Sequence, residues 1–319
     1  MKYSVILYYN FYPIQDPDVF CVTHKNVCRD LELKGRVYVS HEGINGTLSG
    51  LKDDIAAYKN YLHSIQGFGQ TEFKEDLIDF IPFDKLIVKV RPEIVTLKSS
   101  RQLDPYHHPG RHLSPQEWRT VLESGEEYQL IDVRNNYESA IGHFEGAIKP
   151  DVKNFYDFED WVDGAHLDKD KKVLMYCTGG IRCEKFSLLM EEKGFKDVYQ
   201  LQGGIINYAK QQGDAHYKGK CFVFDDRLAV PIEKKQKEPL GRCEITGTPC
   251  DDYMNCHNMD CNKLFICSEE AAIEMQGCCC EDCLRAPKKR PFDRDHIYAP
   301  SRKWYQYYSE DQWEELKQG

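Results

Sequence analysis

An apolar strand that ends in a cysteine and opens through two glycines onto a helix constrains this chain more than any other feature. The stretch is VLMYCTGGIRCEKF, with Cys177 directly after the strand, Gly179 and Gly180 in the turn, and a helix from IRCEKF to Gly194. In parallel α/β sheets, the carboxyl edge of the strands is where ligands sit. Paired glycines let the backbone curl so that several N–H groups point inward. Together with the positive end of the following helix they stabilise an anion. A thiolate is such an anion, so the loop is expected to lower the pKa of Cys177 and make it nucleophilic. The plainer alternative is a buried structural cysteine beside a Gly-Gly turn. Strand, Cys, paired Gly, Arg182 and helix in this order favour the reactive reading.

The flanking sequence predicts an α/β domain over residues 113–214. Ser114, Pro115 and Glu117 make a helix start of the capping-box type. YQLIDVR, KKVLMYC and FKDVYQLQGG read as strands that alternate with helices, the pattern of a parallel sheet covered on both faces. Residues 1–95 read as a smaller α+β unit. YSVILYY, RVYVS, FKEDLIDF and LIVKV are strands, and helices are expected over 16–33 and 52–65. The order βαββαβ suggests a ferredoxin-like split sheet. HEGINGT, with Gly43, Asn45 and Gly46, reads as a tight turn joining two strands. Residues 96–112 form a polar linker. Residues 215–319 hold a β-like segment, CFVFDDRLAV, then a charged connector and a cysteine-rich region.

A length of 319 residues fits two or three domains, and 41% apolar content suffices for packed cores. No apolar run is long enough for a membrane span, and MKYSVILYYNFYP lacks the features of a signal peptide. A cytoplasmic protein is therefore expected, with its oligomeric state left open. The net charge of −10 is unevenly spread. Residues 84–112 carry six Lys/Arg against three Asp/Glu, and residues 285–303 carry seven against two. Solvated faces alone produce such runs, which is the plainer reading, but local basic patches also leave room for a nucleic-acid partner.

Nine of the fourteen cysteines lie between Cys243 and Cys283. Without an export signal, such clustering points to metal binding or redox chemistry rather than to a disulfide framework. Structural zinc is the favoured occupant, with ligands expected among Cys250, Cys256, Cys261, Cys267, Cys280 and Cys283. Cys280-x-x-Cys283 has knuckle spacing, and His257 is a weaker ligand. Either one or two four-ligand sites can be filled. Beyond the cysteines, APKKRPFDRD and RKWYQYY alternate bases with aromatics. Trp304, Tyr305 and Tyr307 suit stacking on unpaired bases, although a terminal helix packing its own aromatics would look the same. His107 and His108 in the basic linker read as exposed linker residues. There is no 2-His-1-carboxylate triad and no flavin or nicotinamide fingerprint.

LIDVRNNYESAIGHFEGAIKP, CTGGIRCEK and GFKDVYQLQGG together resemble the rhodanese superfamily. The resemblance implies that Cys177 is a persulfide-carrying catalytic residue and that Arg182 closes the loop. Thr178, Gly179, Gly180 and Ile181 form the loop between them, supported by Cys183 and by the Asp132/Arg134 pair. Related cysteine phosphatases place Arg six positions after the Cys, where this chain has Cys183, so phosphatase activity is not expected. Many rhodaneses carry a small hydroxyl residue at that position. Cys183 is read either as a resolving thiol or as a small packed side chain.

With the N-terminal unit, HEGINGT and the cysteine-rich tail included, nearly the whole chain resembles the rhodanese-domain tRNA uridine hydroxylase family. That resemblance implies oxygen-dependent formation of 5-hydroxyuridine at the wobble position of tRNA. It also places His41, Glu42 and Asn45 among candidate RNA or active-site residues. Family members often show a Cys-x-x-Cys near Cys243, and CEIT breaks that pair here, against a full two-site arrangement. Uridine C5 reacts with electrophiles once a nucleophile has added at C6, and a thiolate can do that. An oxidised sulfur on Cys177 delivering oxygen is the alternative. A persulfide-transferring sulfurtransferase is the competing enzyme class, and an RNA-binding or zinc scaffold the non-enzymatic one.

Overall fold

The computed structural model describes residues 2–232 and 238–318. The first unit is a single sheet of β1 (Tyr3–Phe11), β2 (Lys34–Ser40), β3 (Gly43–Leu51), β4 (Lys74–Ile78) and β5 (Leu86–Val90), in the order β4-β1-β3-β2-β5. α1 (Pro17–Asp30) and α2 (Lys52–Ser64) complete it. Asp16 caps α1 by accepting from the Val19 amide, with Pro17 in the first turn. The first four strands have the expected split arrangement, and β5 adds a fifth, parallel to β2. Period-two alternation gives the sheet two different faces. Ile6, Tyr8, Val37, Ile44 and Leu48 are buried with Tyr58 and Leu62 of α2. Leu7, Tyr9, Arg36, Tyr38, Asn45 and Thr47 line a cavity on the other face.

HEGINGT joins β2 to β3 by a tight turn, but one shorter than its glycines suggest. Only His41 and Glu42 turn the chain; Gly43 already begins β3, the middle strand, paired with both β1 and β2. The glycine at 46 serves close packing, because a Cβ there would lie 2.4 Å from the Tyr8 hydroxyl.

The second unit contains β6 (His112–Leu113), β7 (Tyr128–Asp132), β8 (Gly142–Phe144), β9 (Lys172–Tyr176) and β10 (Val198–Leu201). All but β8 form a parallel sheet in the order β6-β10-β9-β7. Its helices are α3 (Pro115–Glu123), α4 (Asn136–Ser139), α5 (Phe158–Gly164), α6 (Ile181–Glu192) and α7 (Gly204–Gln212). The capping box is present: the Glu117 amide donates to Ser114 Oγ, and the Ser114 amide donates to Glu117. Alternate residues of β7 and β9 feed two cores. Ile131, Val173 and Met175 pack with Phe158 and Phe186 on one face. Leu130, Leu174 and Tyr176 pack with Trp118 and Tyr208 on the other.

CFVFDDRLAV supplies β structure as expected. β11 (Tyr217–Phe222) joins β8 to β12 (Ala229–Pro231) in a small antiparallel sheet. The charged connector that follows lies largely on 233–237, outside the described residues. The tail contributes β13 (Tyr253–Asn255) and β14 (Leu264–Ile266), an antiparallel pair, then α8 (Glu269–Glu274), α9 (Glu281–Arg285) and α10 (Glu310–Gln318). Its core of cysteines, Tyr253 and Phe265 continues into Ile141 and Phe222, which seats the tail against the second unit. Among the described residues no helix is long and apolar enough to cross a membrane.

Candidate active site

β9 ends at Tyr176 and α6 begins at Ile181, so Cys177 sits at the carboxyl edge of the parallel sheet, almost wholly buried. Gly180 adopts φ 106°, a conformation that favours glycine, and its amide donates to Cys177 Sγ at 3.1 Å. Burial pushes the thiol pKa up. A hydrogen bond from the Cys183 thiol, the charge of Arg182, and the amides of Arg182 and Gly180 outweigh that cost and bring it down to about 5. Burial and the neighbouring thiolate push Cys183 the other way, so it stays protonated and keeps donating. The balance favours the thiolate over the thiol at neutral pH.

Arg182 does not aim its guanidinium at the sulfur. Both terminal nitrogens are taken by Glu138 of α4, at 2.5 and 2.8 Å, in a buried bidentate pair. Asp132 and Arg134 form a second buried fork, with Nε and Nη2 at 2.8 and 2.6 Å from the carboxylate. Arg134 also donates to the Gly142 carbonyl, and the Tyr176 hydroxyl donates to Asp132. That pair ties β7, β8 and β9 together beneath the loop and does not line the cavity.

The loop faces the open side of the N-terminal sheet across a cavity of about 560 Å³. Cys177, Thr178, Gly179, Ile181 and Arg182 line one wall. Tyr9, Arg36, Tyr38 and Asn45 line the opposite wall, with residues 91–96 and Phe224 completing the enclosure. The two units are held in register at α6. The Tyr9 hydroxyl donates to Glu184 at 2.8 Å, and Lys185 bridges Glu42 and Glu93 at 2.8 and 2.6 Å. Glu184 also accepts from Gln200 and is bonded to His112. That contact holds the His112 pKa above its usual range although burial acts against it.

Of the three HEGINGT candidates, Asn45 alone reaches the cavity. His41 bonds the Ile14 carbonyl at 3.1 Å, and Glu42 serves the Lys185 bridge while accepting from the Ile94 amide. The sequence reading passed over Glu138, Glu184, Tyr9, Arg36, Tyr38, Arg91 and Phe224. The sole hint was the period-two run of polar and aromatic residues along β1 and β2.

In the tail, the Sγ atoms of Cys256, Cys261, Cys279 and Cys283 all lie within 4.8 Å of one another. Cys279 is 3.8 Å from both Cys261 and Cys283. Four thiolates about 2.3 Å from a tetrahedral zinc stand about 3.8 Å apart, so the donors fit that ion. The Cys279 amide donates to Cys256 Sγ, and Asn258 donates to Cys283 Sγ. This cluster can hold a metal ion. Its fourth member is Cys279, not the expected Cys280, which is exposed at the start of α9. Cys250 and Cys267 stand outside the group, buried beside Cys243 instead. Trp304 stacks on Trp313 of α10 at 5.1 Å, so the terminal helix packs this ring, while Tyr305 stays exposed. Tyr307 accepts from the Arg302 amide.

Comparison with known proteins agrees with this architecture. The family model for the UPF0176 acylphosphatase like domain matches residues 3–94, the rhodanese-like domain 114–211, and the rhodanase C-terminal domain 218–284. A protein of Chlamydia abortus is 43% identical over 296 residues, covering 91% of this chain and 90% of that one. A protein of Protochlamydia amoebophila is 39% identical, covering 97% of both chains. One from Staphylococcus aureus is 43% identical over 300 residues, covering 93% of this chain and 94% of its own. All three are named tRNA uridine(34) hydroxylase. The chain belongs to the tRNA uridine(34) hydroxylase family.

Proposed function

We propose that this protein hydroxylates C5 of uridine 34 in tRNA to 5-hydroxyuridine, with molecular oxygen as co-substrate and Cys177 as the essential nucleophile. One observation carries the role of Cys177. A thiolate with a pKa of about 5 stands in a cavity of about 560 Å³ that also offers arginines and aromatic rings. Cavities of roughly 300–1,000 Å³ enclose ligands of nucleotide size. Addition of the Cys177 thiolate to C6 of uracil turns C5 into an enolate carbon, which attacks oxygen. One oxygen atom stays on C5. The other leaves as water with two protons and two electrons from an external reductant, and loss of the C5 proton with expulsion of the thiolate restores the ring. Thr178, Gly179, Gly180 and Ile181 shape the loop. Arg182, ion-paired with Glu138, lends the sulfur its amide and its charge, and Cys183 donates to the thiolate.

The working units are residues 1–95, which bring the open sheet face, 113–214, which bring the reactive loop, and 215–319, which brace the loop's surroundings. Zinc on Cys256, Cys261, Cys279 and Cys283 has a structural role, because four thiolates leave no open coordination position. A tRNA substrate supports a cytoplasmic location.

The test is mass spectrometry of nucleosides from tRNA incubated aerobically with the wild type and with Cys177→Ser. A gain of one oxygen on uridine 34 with the wild type alone is the expected result. The loop's donors also suit a persulfide, which favours sulfurtransfer as the second reading. No oxygen gain, with rapid thiocyanate formation from thiosulfate and cyanide, would establish that reading instead.

A further inference from the structure

The cavity has two chemically different walls, and the wall opposite the loop carries a carboxamide, two arginines and two tyrosines. Asn45 stands in the middle strand of the N-terminal sheet with its side chain on the cavity face. Its Nδ2 donates to the Ile94 carbonyl at 2.9 Å. Only the nitrogen of a carboxamide donates, so this bond fixes which way the amide faces. Oδ1 has no hydrogen-bond partner among the described residues, and Nδ2 keeps a second hydrogen. Arg36 and Arg91 are exposed at the same wall, and neither has an ion-pair partner among the described residues. The Arg91 guanidinium lies 5.3 Å from the ring centre of Tyr38.

We propose that Asn45 is the specificity-determining residue for uracil and that Arg36 and Arg91 hold the phosphates flanking the target nucleotide. This rests on the functional reading above. Uracil offers N3–H as donor and O4 as acceptor. Asn45 Oδ1 accepts the first and the free Nδ2 hydrogen donates to the second, a bidentate match. Cytosine reverses both groups and would require the amide to flip. The flip breaks the bond to Ile94 and sets two acceptor oxygens against each other, a combination that is costly where water is excluded. The atom across the ring from N3 is C6. A uracil held by Asn45 on one wall therefore presents C6 to the opposite wall, where Cys177 stands.

The experiment measures affinity for two anticodon stem-loops that differ only in U34 or C34. Every variant is made in the full chain carrying Cys177→Ser, so that nothing turns over. The protein with Asn45 intact should favour the U34 loop by roughly 5- to 150-fold, the range of one bidentate base contact. Asn45→Ala should lose that preference by weakening U34 binding while C34 binding holds or tightens, which also shows that the variant is folded. Arg36→Ala with Arg91→Ala should weaken both loops alike. It should also reduce the slope of log affinity against log salt by about 1.4, near 0.7 for each charge on a single strand.

Equal weakening of both loops by Asn45→Ala, or an unchanged salt slope in the double arginine variant, would overturn the proposal. Failure of the functional reading is visible separately, as absence of oxygen incorporation by the otherwise native protein.

Discussion

Cys177 and Cys279 show what surroundings do to one residue type. Cys177 is a single sulfur ringed by donors: the Gly180 amide, the Arg182 amide and charge, and the Cys183 thiol. Cys279 is ringed by other sulfurs, those of Cys256, Cys261 and Cys283. Donors around one thiolate stabilise its charge and leave a lone pair for an electrophile. Sulfurs around a sulfur cannot all carry charge unless a cation sits among them, and that cation then binds each thiolate and quenches its nucleophilicity. One arrangement yields a nucleophile and the other a staple.

The comparison breaks most sharply at Cys177 itself. Cys177→Ser removes the polarisable nucleophile and keeps its shape, so activity should fall on the order of 10⁴-fold or more while the protein stays folded. Retained hydroxylation would move the chemistry away from the loop. In the tail, Cys279→Ser should release the metal, found by elemental analysis of the purified protein, and melt the segment around α9. Structural zinc contributes about 10–16 kcal/mol in small metallo-domains, so loss of a ligand there is a folding event. Cys280→Ser should keep full metal content. Equal metal loss in both variants would return the ligand set to the Cys-x-x-Cys reading.

That tail also marks where sequence stops being informative. Spacing nominated Cys280 and Cys283, but Cys280 precedes α9 with its side chain exposed, while Cys279 lies next to Cys283 Sγ. Which of three consecutive cysteines turns inward depends on backbone dihedrals that spacing does not encode. The reactive loop was legible because its physics is local: strand end, glycines, amides and helix lie within a few residues of Cys177. The same holds for the Ser114 cap, whereas the Asp132/Arg134 pair was named from the rhodanese resemblance. Glu138 was invisible because its partner Arg182 is 44 residues away. Asn45 was named through the family resemblance alone, because its glycine neighbours made the segment read as a turn. Gly43 and Gly46 imitate a turn, whereas the chain uses glycine at 46 to let a strand pass over Tyr8.

Glu138 sharpens the comparison at intermediate cost. It and Arg182 form a buried bidentate pair. Glu138→Gln leaves a buried guanidinium without its counter-charge and should destabilise the fold by about 3–5 kcal/mol in chemical denaturation. A change well below 1 kcal/mol would mean that water or another carboxylate reaches Arg182.

The smallest expected effect separates the two sulfur environments most cleanly, because it alters one donor and nothing else. Cys183 donates to the Cys177 thiolate and is itself held protonated by burial. Cys183→Ala removes that donor, and Cys183→Ser restores one. Alkylation of Cys177 by iodoacetamide, followed against pH, should show an apparent pKa near 5 in the wild type. The value should be higher in Cys183→Ala and close to wild type in Cys183→Ser. The sign on stability follows from the same shift. The Cys177 pKa falls from 9.0 to about 5 on folding. Between those values the native state binds fewer protons than the unfolded chain, so this group's contribution is full above pH 9 and is lost as pH falls towards 5. Cys183→Ala narrows that window from its acid side. If both variants titrate like the wild type, Cys183 serves packing alone, and the thiolate is held by the amides and Arg182.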